Sequence, residues 1–133
     1  MSGATGMGGT WAQALAVGLG GAAGALLRWQ AGLWLNPLAL PFALGTLAVN
    51  CVGGLLIGFS LVAFDHHPND TLRLLLVTGG LGGLTTFSAF SAESLSLLIH
   101  GRLGLAALHT LAHVVGALGC AGLGWWAGRA VWA

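Results

Sequence analysis

Apolar residues in this chain run in long stretches interrupted by glycine far more often than by charge. No Asp, Glu, Lys or Arg occurs in 11–27, 41–64, 74–92 or 103–128. A helix needs about 20 such residues to cross the hydrocarbon core of a bilayer. The pattern predicts an all-α membrane protein: one transmembrane domain over 1–133, with four helices at approximately 11–34, 41–64, 72–98 and 103–128 behind a flexible N-terminus over 1–10.

The ends of these stretches carry the tryptophans: Trp11 before the first, Trp29 and Trp34 after it, and Trp125, Trp126 and Trp132 at the close of the fourth. Indole favours the headgroup level, where its ring is apolar and its N–H is wet, so the aromatic positions support the boundaries independently of hydropathy. Pro41 suits the first turn of the second helix, where its missing N–H would have no partner anyway. The polar run 65–70 (Asp-His-His-Pro-Asn-Asp) reads as the middle loop, and its adjacent histidines lack the spacing that makes a metal site specific.

Composition leaves little room for another class. Only 5% of the 133 residues are charged while 56% are hydrophobic, against roughly 25% charged in ordinary soluble domains. Scattered arginines form no basic patch, which excludes nucleic acid as a partner. Cys51 and Cys120 lie in apolar stretches and read as small hydrophobes. No Lys or Arg opens the chain, so the first span is expected to be retained rather than cleaved as a signal.

Four spans place Arg73 and Arg129 on one side of the membrane and Arg28 and Arg102 on the other. Orientation follows an excess of Lys/Arg on the cytoplasmic side, and equal numbers supply none. A chain without bias inserts both ways, and two copies of opposite orientation can pair as an antiparallel homodimer about an axis in the membrane plane. Gly20 and Gly24, Gly54 and Gly58, and Gly124 and Gly128 supply small-xxx-small spacings that let helix backbones approach closely.

Polar groups inside the spans are the candidate chemistry, because each is costly in lipid unless buried against protein or water. Thr46 and Asn50 share a face of the second helix, and Asn50 lies roughly 14 Å along it from Pro41, near mid-bilayer. Its amide serves either as interhelical glue or as a donor to a desolvated anion. In the third span, Gly79, Gly80, Gly82 and Gly83 followed by Thr85 and Thr86 make continuous helix expensive, at about 1 kcal/mol per glycine relative to alanine. A break within 79–86 is expected, and freed carbonyls at such a break suit a cation; the bland alternative is a close-packed helix crossing.

Beyond the glycines, Phe87, Phe90, Ser91 and Ser94 fall on one helical face, and phenyl edges carry partial positive charge that an anion can lie against. Glu93 is the only acid inside a span, and it reads as protonated or hydrogen-bonded off the line of flow. In the fourth helix His109 and His113, with Thr110 between them, form either a polar edge to a pathway or satisfied interhelical contacts.

Three segments in order, Gly24-Ala25-Leu26-Leu27-Arg28-Trp29, Gly45-Thr46-Leu47-Ala48-Val49-Asn50, and Gly82-Gly83-Leu84-Thr85-Thr86-Phe87-Ser88-Ala89-Phe90-Ser91-Ala92-Glu93, resemble the signatures of the Fluc/CrcB fluoride channels. The resemblance covers three of the four helices. It implies a dual-topology antiparallel homodimer with two fluoride pores and a broken third helix, in the bacterial inner membrane. It also implies a structural sodium ion at the dimer centre, held by the backbone carbonyls of Gly82 and Thr85. Phe87 and Phe90 resemble the aromatic pair lining each pore, Asn50 the nearby amide donor, and Arg28 the arginine at the pore mouth; Thr46 and Ser91 add hydroxyls. The family commonly has a tyrosine and a serine where this chain has His109 and His113.

What the resemblance implies is a passive channel that lets fluoride leave the cytoplasm and so lowers its toxicity, with no catalytic residues and hence no enzyme. The alternative is a small multidrug-resistance-type exporter of cationic compounds, also a four-helix dual-topology dimer. Such exporters use an embedded glutamate in the first helix, and here that span has no acid.

Overall fold

The computed structural model describes residues 7–38 and 40–132. Helix α1 (Met7–Leu35) is followed by α2 (Leu44–His66). A third span, Asp70–Ile99, is assembled from α3 (Asp70–Arg73), a π-helical segment (Leu74–Leu81), α4 (Gly82–Leu84) and α5 (Phe87–Ile99), and α6 (Leu103–Val131) completes the chain. Among the described residues, four helices are long and apolar enough to cross a membrane.

The boundaries differ from the hydropathy reading where side chains intervene. Of the expected flexible N-terminus, residues 1–6 lie outside the described residues, whereas 7–10 are already helical. Pro41 stands before α2 rather than in its first turn, because the helix start is set by Asn36, whose Oδ1 accepts the Gly45 N–H at 2.8 Å. At the third span the Asn69 side chain accepts the Leu72 N–H at 2.9 Å, and Asp70 sits in the first turn, both favourable at a helix N-terminus. The turn between α5 and α6 runs through Gly101 at φ 71°, a backbone region that glycine enters without steric cost.

Glycine makes the two helix crossings that hold the bundle together. Between α1 and the third span, a Cβ on Gly20 would strike the Leu75 carbonyl oxygen, one on Gly24 the Gly80 carbonyl oxygen, and one on Gly83 the Gly21 carbonyl oxygen. Between α2 and α6 the same holds for Gly58 against Ala121 and Gly124 against Leu55. Lipid tails provide no hydrophobic drive for helix association, so close backbone packing of this kind supplies it. The interior is accordingly small and polar: Ala16, Val49, Val62, Leu97 and Ala106 are its buried apolar residues, beside Thr46, Thr86, His109 and His113. Large leucines such as Leu19 and Leu111 face outward, as a lipid-facing surface requires.

The glycines at 79–83 stay within helical turns. The chain leaves helix later, at Thr85 (φ −82°, ψ 156°) and Thr86 (φ −151°, ψ 118°), both extended. Within 79–86, crossing α1 accounts for the glycines, and the side-chain chemistry below accounts for the extended threonines.

Candidate functional site

Two extended residues inside an apolar span expose peptide groups that lipid cannot serve, so each must find a partner within the protein. Thr86 does so through Asn50. The Thr86 N–H donates to Asn50 Oδ1 at 2.8 Å, and Asn50 Nδ2 donates back to the Thr86 carbonyl at 3.1 Å. The Thr86 hydroxyl then caps α5 by accepting the Ala89 N–H at 3.2 Å, while Thr85 Oγ1 donates to the Leu81 carbonyl at 2.9 Å. Asn50 thus behaves as an interhelical brace, and the side chain singled out in α2 is the partner of the irregular backbone singled out in the third span.

These diversions free particular carbonyls. In a continuous helix the Thr86 N–H would serve the Gly82 carbonyl, and the Ala89 N–H would serve that of Thr85; here they go to Asn50 Oδ1 and Thr86 Oγ1. The Gly83 carbonyl is taken by Arg28, whose Nε donates to it at 3.0 Å. Gly82 and Thr85 both line an open groove of about 590 Å³ between α2, the third span and α6, together with Asn50, Phe87, Phe90 and His113. The donor set offered there is neutral backbone oxygen, which suits a hard cation of low charge rather than a thiophilic metal.

A second cluster lies beside the first. Glu93 accepts a short hydrogen bond from the Thr46 hydroxyl at Oε1 and pairs with His109 Nε2 at 3.0 Å through Oε2. His109 is fully buried, and its other nitrogen, Nδ1, is 3.0 Å from Ser94 Oγ. His113, one turn on, has Nδ1 3.4 Å from Asn50 Nδ2, and its buried Nε2 has no hydrogen-bond partner among the described residues. Phe90 packs on both rings, near-parallel to His109 at 5.5 Å and tilted against His113 at 4.9 Å.

Phe87 and Phe90 form a tilted pair with centroids 5.4 Å apart, but only Phe90 is packed against the histidines; Phe87 is 78% exposed on the groove side. Arg28 lines a separate cavity of about 370 Å³ with Trp29, Thr46, Thr86 and Glu93, so the guanidinium and the carboxylate flank one opening. The geometry brings together Thr46, Asn50, Phe90, Glu93, His109 and His113. Ser91 is exposed and donates to the Phe87 carbonyl at 2.9 Å, outside the cluster. Thr110 is exposed as well, its hydroxyl donating to Ala106 O at 2.8 Å, because one residue along a helix turns its side chain about 100° away from His109.

Thr86 and Asn36 are structural partners that the sequence reading does not name as site residues, and Ser94, there only one of the hydroxyls on the Phe87 face, is the partner of His109. For Thr86 a signal existed, since a threonine opening the run Phe-Ser-Ala is a favoured N-cap. For Ser94 and Asn36 the partner comes from another part of the chain, and no local pattern announces it.

Residues 15–125 match the family described as CrcB-like protein, Camphor Resistance (CrcB). A protein named fluoride-specific ion channel FluC from Aromatoleum aromaticum is 54% identical over 113 residues, which cover 84% of this chain and 86% of the relative. Proteins of the same name from Cupriavidus pinatubonensis and Thiobacillus denitrificans are 52% and 49% identical, covering 86% and 84% of this chain and 93% and 92% of the relatives.

Proposed function

The chain belongs to the CrcB-like family, and on that premise we propose that it is a fluoride-selective passive channel, multi-pass in a bacterial inner membrane, through which fluoride leaves the cytoplasm. The observation that carries this reading is the polar line between apolar spans formed by the buried Thr46, Thr86, His109 and His113 with the half-buried Asn50 and Glu93, with Phe90 packed along it. Polar side chains at such depth are costly and mark an ion path by default. Fluoride surrenders its hydration shell only where close donors and positive edges replace the water, and a narrow passage lined by an imidazole N–H and phenyl edges would meet that need while remaining too tight for chloride. Relatives at about half identity carry the name of a fluoride-specific ion channel. No acid stands in the first span to serve a cation exporter.

The finer architecture follows from the same residues. Thr85 and Thr86 divide the third span into a broken helix, and the Gly82 and Thr85 carbonyls beside the interruption would hold a sodium ion. Bound there, the ion would supply positive charge that offsets anions passing nearby. An antiparallel homodimer is supported by the balanced arginines and by the groove that leaves Phe87, Gly82 and Thr85 on the surface of a single chain. A second copy seated on that groove would enclose the sodium site and bring Phe87 into a pore wall.

The test is fluoride efflux from liposomes holding the purified protein, read with an ion-selective electrode. Fast fluoride release with chloride retained is expected. Equal release of the two anions, or none, would overturn the assignment.

A further inference from the structure

We propose that Asn50 serves the anion path indirectly: it fixes the tautomer of His113, whose Nε2–H is the hydrogen-bond donor offered to fluoride. The inference rests on the channel reading above and assigns roles within it.

A backbone N–H can only donate and a backbone carbonyl only accept, so the Thr86 peptide sets which way round the Asn50 amide sits: Oδ1 faces the Thr86 N–H and Nδ2 faces the Thr86 carbonyl. Turning the amide over would set N–H against N–H and oxygen against oxygen. One Nδ2 hydrogen is therefore spent on Thr86, and the other is directed to His113 Nδ1 at 3.4 Å. Asn50 has no third hydrogen for an anion.

A neutral imidazole carries a proton on one nitrogen and a lone pair on the other. With Nδ1 accepting from Asn50, the His113 proton is on Nε2. Among the described residues that atom is buried without a partner, in a residue only 4% exposed. An unpartnered N–H at such depth is costly, and only an acceptor relieves the cost. His113 lines the same groove as Asn50, Phe87 and Phe90, and Phe90 packs against its ring at 4.9 Å, which favours a small acceptor over a polyatomic one.

The second histidine is arranged the opposite way. His109 Nε2 faces a Glu93 carboxylate oxygen, so its proton is directed there, and Nδ1 accepts from the Ser94 hydroxyl. Both of its nitrogens are committed, and the Glu93 oxygens are engaged by His109 and Thr46. Of the two imidazoles only His113 keeps a donor free. Asn50 is accordingly a positioning residue, and its effect on the anion runs through a ring in another helix.

Nitrogen NMR of the full chain in lipid bilayers, labelled with ¹⁵N-histidine and held in mildly alkaline buffer, reads the tautomer directly, with the His113 signals assigned by their loss in His113→Ser. The expected result is a proton on His113 Nε2 and a bare Nδ1, with sodium fluoride shifting the Nε2 resonance and sodium chloride leaving it in place. In Asn50→Asp a carboxylate oxygen replaces the amide donor, so the proton is expected on Nδ1 and the fluoride response is lost. A His113 protonated on Nδ1 or on both nitrogens in the unmodified protein would overturn the proposal, as would an Nε2 resonance indifferent to fluoride. An Asn50→Asp variant whose His113 keeps the unmodified tautomer would do the same, and if that variant fails to fold the unmodified protein decides alone. Liposomes of the unmodified protein that release fluoride while the tautomer is wrong refute only this inference; liposomes that release none refute the channel reading itself.

Discussion

Replacing Gly24 with alanine adds one methyl group at one of the closest backbone approaches in the crossing between α1 and the third span. The new Cβ would overlap the Gly80 carbonyl oxygen and lie 2.7 Å from the Leu84 nitrogen and 3.1 Å from the Gly80 carbonyl carbon. All three neighbours are backbone atoms, so no rotamer change can make room and the helices must separate. Overpacking a close contact costs about 1–3 kcal/mol, and a rigid backbone neighbour argues for the upper part of that range. At about 2 kcal/mol the folded-to-unfolded ratio falls roughly 30-fold. Gly18 on the same helix is the control, because a Cβ there meets nothing within 4 Å and alanine improves helix propensity by up to about 1 kcal/mol. Equilibrium unfolding in detergent, followed by the fluorescence of the 6 tryptophans, should show Gly24→Ala clearly destabilised and Gly18→Ala unchanged or slightly stabilised. Fluoride efflux should fall with Gly24→Ala, since the displaced Gly80–Leu84 backbone leads directly into Thr85. Equal stability of the two variants would refute the account of the crossing.

Two further outcomes follow from the site. Glu93→Ala would leave the Thr46 hydroxyl and the buried His109 Nε2 without their acceptor, at about 1–3 kcal/mol for each orphaned group, whereas Glu93→Gln retains an acceptor and should lose much less; unfolding measurements on both variants separate packing from charge. Exchanging sodium for a bulky organic cation during purification tests the proposed sodium site and the proposed homodimer together: lower fluoride efflux and a shift towards single chains on gel filtration are expected, and a preparation unaffected in both would refute a sodium ion at the Gly82 and Thr85 carbonyls.

Span number and packing glycines were legible along the chain because each is a local property. Uncharged stretches of sufficient length become membrane helices, and Gly20, Gly24, Gly54, Gly58, Gly124 and Gly128 occupy helix contacts as their four-residue spacing predicts. Candidate chemistry was legible for the same reason: Asn50, Glu93, His109 and His113 are conspicuous in an apolar background, and Thr46, Glu93 and His109 do meet. Within 79–86 the sequence does not say which residue does what: the glycines remain helical because the crossing with α1 needs them, and the extended residues are Thr85 and Thr86, where Asn50 can satisfy a free peptide.

The sequence by itself determined that this protein lives in a bilayer, how many times it crosses, and which few polar side chains must be hidden there. Tertiary structure alone decided what those side chains do. A hydrogen bond has a direction, and the direction available to Asn50 depends on a Thr86 peptide 36 positions away. Only the packing of α2 against the third span and α6 settles that the amide faces its backbone partner one way round, leaving His113 with the donor to spare.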